Sequence, residues 1–70
     1  AMARTKAPAF TWNKTLRDSM VRTQNKITVV GVKRANQDFI YAIPETLIHR
    51  GDELIVSGKT VHVDAFCRTK

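Results

Sequence analysis

Two histidines, one cysteine and one pair of adjacent carboxylates are the residues best suited to chemistry, and their spacing builds no catalytic constellation. His49 and His62 stand thirteen residues apart and make no zinc-ligand spacing with the single cysteine. Asp52 and Glu53 are neighbours in a strand-like run, so their side chains point to opposite faces and cannot share a substrate. Cys67 has Arg68 beside it but no nearby base, which reads as a buried or idle thiol. Gly31, Gly51 and Gly58 are scattered singly, so there is no glycine-rich phosphate loop. The expectation is a protein that is not an enzyme.

Charge offers more. Up to Arg34 the chain carries a net +7, with Asp18 its one acid; from Ala35 onward the net charge is −1. An electropositive N-terminal half suits an anion, a nucleic acid or a phosphate-rich ligand. The plainer reading is a solvated basic surface. With a pI near 10.1, Phe10, Trp12, Phe39 and Tyr41 are candidates for stacking on bases. Against this, Phe39 and Tyr41 alternate with Ile40 and lead into Ile43, the pattern of a core or interface face. A small basic nucleic-acid-binding β domain is therefore the alternative, not the first reading.

The 70 residues fit one domain. A chain this short buries only about 60% of the surface its unfolded form exposes. One cysteine allows no internal disulfide, so the missing stability must come from packing or from a partner subunit. No apolar run approaches the roughly 20 residues of a membrane span. The basic opening lacks the apolar stretch of a secretory signal. A reducing cytoplasmic setting fits best.

The elements that must position these residues follow in order. Residues 1–11 read as an expression scar and a basic arm or linker, with Phe10-Thr11-Trp12 a short strand or docking segment. Asn13 is placed to cap a helix from about Lys14, with Leu16, Met20 and Val21 as its apolar stripe, Arg17, Asp18 and Arg22 on the other faces, and Asn25 closing it. Ile27–Val32 is the clearest strand. Alternation puts Ile27 and Val29 on one face and Val30 and Val32 on the other, predicting a central strand covered on both sides. A polar turn, Lys33–Asp38, leads to a second strand, Phe39–Ile43, ended by Pro44. Glu45–Arg50 is a connector in which Leu47 or Ile48 plugs the core, and Gly51 turns the chain. Glu53–Ser57 is a third strand, and Thr60–Phe66 a closing helix with Phe66 packed down. The fold class is α+β: a small sheet of three to four mainly antiparallel strands with two short helices.

From Trp12 to Phe66 the sequence resembles the TrkA C-terminal domain, or RCK_C, of bacterial potassium-transport regulators. The matching pieces are Lys14-Thr15-Leu16-Arg17-Asp18, Ile27–Arg34, Phe39–Thr46 and, most specifically, Gly51–Gly58, which fits the family's G-D-x-L-x-V-x-G. Asn13 stands where the family has glycine, and the family's first strand would fall at or before Phe10–Trp12.

The resemblance implies a regulatory domain, residues 12–70, that pairs as a homodimer, follows an RCK_N domain and gates a potassium channel or transporter on the cytoplasmic face of the membrane. It implies no NAD or ATP site in this chain. In some relatives the ligand is cyclic di-AMP, and position alone carries its site onto Arg34, Ala35, Asn36, Ile43 and Pro44. Arg34 would pair with a phosphate, Asn36 would read a base edge, and Ile43 with Pro44 would wall an adenine. For the dimer interface the expected residues are Val30, Val32, Phe39 and Tyr41, because one chain offers too few helices to cover two apolar faces.

Overall fold

The β-branched run after Ile27 forms the middle of the sheet. In the computed structural model, which describes residues 1–70, the strands are β1 (Met2–Lys6), β2 (Lys14–Thr15), β3 (Thr28–Lys33), β4 (Ile40–Tyr41), β5 (Leu47–Ile48) and β6 (Glu53–Ser57). The helices are α1 (Leu16–Ser19), α2 (Val21–Gln24) and α3 (Thr60–Cys67). Four strands make one antiparallel sheet in the order β1-β6-β3-β4; β2 and β5 pair separately. No helix is long and apolar enough to cross a membrane.

A bulge in β3 decides which side chains face the core. Val29 pairs with Val56 and Gly31 with Ile55, so Val30 is an extra residue opposite nothing. The added residue shifts the alternation by one step. Val29 and Val32 therefore share the face of Leu54 and Val56, while Val30 and Gly31 share the face of Ile55. This corrects two expectations. Val29 and Val32 do not lie on opposite faces, and Val32, only 1% exposed within the single chain, is a core residue and not an interface residue. The strand is central but covered on one side only. On that side Val63 and Phe66 of α3 complete the core, and Phe10 meets the Phe66 ring edge-on at 6.3 Å. Each such side chain contributes about 1.5–3 kcal/mol by leaving water.

The arm reading of residues 1–11 is corrected too. Met2–Lys6 pairs residue by residue with Ser57–Glu53, and Ala7 donates its N–H to the Asp52 carbonyl at 2.8 Å. The reason is backbone satisfaction: without β1, the free edge of β6 would leave a row of unpaired polar groups beside the core. Ala3 packs against the core, while Arg4 and Lys6 face outward. Phe10-Thr11-Trp12 is not a strand; Ala9–Thr11 is a 3-10 turn with Thr11 fully buried.

The first helix starts later than expected and breaks in the middle. Asn13 adopts φ 64° and donates its N–H to the Ile48 carbonyl at 2.7 Å, drawing Lys14 and Thr15 into the ladder with β5. The cap is Thr15, whose side chain accepts from the Asp18 N–H at 3.1 Å. Met20, at φ 61°, separates α1 from α2 and is 44% exposed, so the Leu16–Met20–Val21 stripe is not continuous. Lys26, not Asn25, takes the left-handed conformation after α2. The Glu45–Arg50 connector contains β5, with Ile48 as the core plug and Leu47 largely exposed.

Candidate functional site

One face of the main sheet stays open. There Val30, Gly31, Phe39, Ile40, Tyr41 and Ile55 surround a shallow hollow of about 300 Å³. Tyr41 is 89% exposed and Ile40 49%. Gly31 matters here because a Cβ would come within 3.2 Å of the Ile40 carbonyl and 3.8 Å of the Phe39 ring. Its absence lets β4 and Phe39 lie close over β3. Arg4, held by Glu53 at 2.8 Å, stacks its guanidinium 4.7 Å from the Phe39 ring centre. Of the four expected interface residues, Val30, Phe39 and Tyr41 thus come together, and Val32 lies on the opposite side.

A second hollow, of about 180 Å³, opens where α1 and α2 meet the start of β3 and the segment after β4. Leu16, Val21, Val29, Ala42, Ile43 and Pro44 give it apolar walls, and Arg17, Arg22 and Thr28 its polar rim. Pro44 and Thr46 fix the wall: their carbonyls accept from the N–H groups of Arg17 at 3.0 Å and Leu16 at 2.9 Å. Arg17 pairs with Glu45 at 2.6 Å, both side chains more than half exposed.

The five residues expected at a ligand site fall into two groups that one chain does not bring together. Ile43 and Pro44 line the second hollow. Arg34, Ala35 and Asn36 follow the other end of β3, with Ala35 and Asn36 exposed in a turn. Arg34 is five residues beyond Val29, about 17 Å of strand. Its guanidinium is already engaged: Nη2 donates to the Leu47 carbonyl at 2.6 Å and Nε lies 3.5 Å from Asp52 Oδ2. That Nε contact is an ion pair without a hydrogen bond, and Nε is buried.

Asp52 explains the strongest motif. Its carboxylate is 2% exposed and accepts from the His49 N–H at 2.8 Å, closing the turn in which Gly51 sits at φ 89°. Gly51-Asp52 therefore shapes the entry to β6 and anchors Arg34 from β3. The carboxylate is a fold determinant and faces no ligand.

The aromatic residues argue against base stacking. Phe10 packs on Phe66, and Trp12 donates Nε1–H to the Ala7 carbonyl at 2.9 Å beneath Arg50. No three of the His, Cys, Asp and Glu side chains gather as a metal site. Sequence reasoning missed Arg17 and Arg22 as groove residues; only the break at Met20 turns both toward the same hollow.

An α+β lobe with a finished core on one sheet face and exposed aromatics on the other is a unit shaped for completion by something else. Comparison with known proteins gives the class. The model of the TrkA-C domain matches residues 12–70, and the chain belongs to that family. Among solved structures it is similar to the RCK domain of GsuK, with TM-score 0.85 and 24% identity over 94% of this chain. The chain spans only 15% of that protein's length. It is similar to the RCK C domain of the potassium transport protein KtrA in complex with cyclic di-AMP, with TM-score 0.81 and 25% identity, covering 94% of this chain and 78% of that one. The RCK_C domain dimer of S. agalactiae BusR, also in complex with cyclic di-AMP, gives TM-score 0.74 at 21% identity, covering 94% and 88%. The GsuK and BusR likenesses show the shared fold. No curated protein matched the chain. The chain is thus an RCK_C-type regulatory domain, a mixed α+β lobe of the kind found in potassium-transport proteins.

Proposed function

We propose that this domain dimerises through its open sheet face and binds a small anionic ligand, and that the ligand's preference for one arrangement of the pair gates a potassium channel or transporter. The observation that carries the reading is the uncovered apolar face of Val30, Phe39, Ile40, Tyr41 and Ile55. A second copy presenting the same patch covers it by two-fold symmetry. The BusR relative, whose RCK_C domain is a dimer, supports this.

Cyclic di-AMP is the candidate ligand, because it is bound by the KtrA and BusR domains. In one chain, Ile43 and Pro44 lie far from the Arg34–Asn36 turn, so a ligand that uses both groups bridges two copies. A ligand that fits one dimer arrangement better shifts the population toward it, and a domain joined to the lobe feels the shift. In the whole protein an RCK_N domain and a membrane potassium subunit are the expected partners, at the cytoplasmic face of the membrane.

Titration calorimetry with cyclic di-AMP tests the ligand. The expected result is saturable heat with one ligand per two chains, and a melting temperature that rises with ligand concentration. No heat and no change in melting temperature would remove cyclic di-AMP from the account.

A further inference from the structure

We propose that Arg22 is the cation that meets the anionic group of a ligand seated against Ile43 and Pro44. The inference rests on the ligand reading above and assigns a residue that the position-by-position comparison does not reach. Three cations are candidates. Arg34 is bound to Leu47 and Asp52 and lies at the far end of β3 from the apolar wall. Arg17 lines the wall but is balanced by Glu45. Arg22 lines the same hollow, is exposed, and joins none of the chain's three ion pairs. It is the groove's unneutralised charge.

The hollow also defines what fits. At about 180 Å³ it is smaller than the roughly 300–1,000 Å³ of a pocket that encloses a whole small molecule. It accepts one flat apolar ring of a larger ligand. Leu16, Val21, Ile43 and Pro44 supply the walls for that ring, and the charge stands at the rim. The matching chemistry is a planar ring carrying a phosphate, as in a nucleotide. Arg22 presents a forked donor to two phosphate oxygens. Arg17, whose pairing with Glu45 is solvent-exposed and weak, can turn to the same anion.

The test is calorimetry of the whole chain with cyclic di-AMP at two salt concentrations, comparing wild type with Arg22→Gln, Arg22→Lys and Arg34→Gln. Arg22→Gln is expected to weaken binding about ten- to a hundredfold, the range of one charge-assisted contact, and to flatten the salt dependence. Because Arg22 is exposed and makes no ion pair, its ligand-free melting temperature stays at the wild-type value. Arg22→Lys keeps the charge and recovers most of the affinity. Arg34→Gln lowers the melting temperature instead. If wild type binds and Arg22→Gln binds equally well, the assignment to Arg22 is overturned and the ligand reading survives. If Arg22→Lys is as weak as Arg22→Gln, the charge is not what the ligand reads and the assignment also falls. No binding by wild type overturns both.

Discussion

Replacing Phe66 by alanine is expected to leave the domain without a cooperative unfolding transition. Phe66 is 1% exposed, lies at the centre of the core with Leu54 and Val56, and holds Phe10 edge-on. Truncating a buried phenylalanine costs about 3–5 kcal/mol, from lost transfer energy and from the cavity left behind. A domain of 70 residues has a total stability of roughly 3.5–10 kcal/mol at the usual value per residue. The loss therefore removes a third of the stability at best and all of it at worst. Urea denaturation followed by far-UV circular dichroism reads this directly. A variant that unfolds with the wild-type midpoint would show that α3 does not seal the sheet.

Asp52→Ala is the second large effect, and it acts through polar groups. The substitution removes the acceptor of the His49 N–H and the partner of Arg34 Nε, both at a site where the carboxylate is 2% exposed. A hydrogen bond to a charged group contributes about 1.5–3 kcal/mol. The Arg34 side chain is one-third exposed, so its part falls below the roughly 3–5 kcal/mol lost when a fully buried pair is broken. A total near 2–4 kcal/mol follows, which for a domain of this size lowers the melting temperature by about 10–20 °C. Asp52→Asn keeps an acceptor for His49 and loses only the attraction to Arg34. It should cost less than half as much. Equal losses in the two variants would mean that the charge, not the turn, holds this corner.

The sequence made some of this structure legible and hid the rest for identifiable reasons. The strands at Ile27–Val32 and Glu53–Ser57 showed as dense β-branched and aliphatic runs, and Gly51 announced its turn. β1 did not show, because its inward positions are Ala3 and Thr5, too small and too polar to mark an apolar alternation, while Arg4 and Lys6 suggested a solvated arm. β2 and β5 are two residues each, shorter than any periodicity. The bulge at Val30 is invisible to alternation counting, since one extra residue reverses every face beyond it. That is why Val30, Phe39 and Tyr41 were legible as an exposed set and Val32 was assigned to the wrong side. The same kind of local break hid the groove. A continuous helix from Lys14 would scatter Arg17 and Arg22 over its outer faces; the left-handed Met20 gathers them onto one hollow.

Sedimentation velocity across micromolar concentrations, on wild type and Tyr41→Asp, tests most directly whether the exposed sheet face is an interface. The account predicts a dimer for wild type and a folded monomer for Tyr41→Asp, because an added carboxylate has no partner in a buried apolar contact. A wild-type chain that stays a stable, well-folded monomer throughout that range would contradict it.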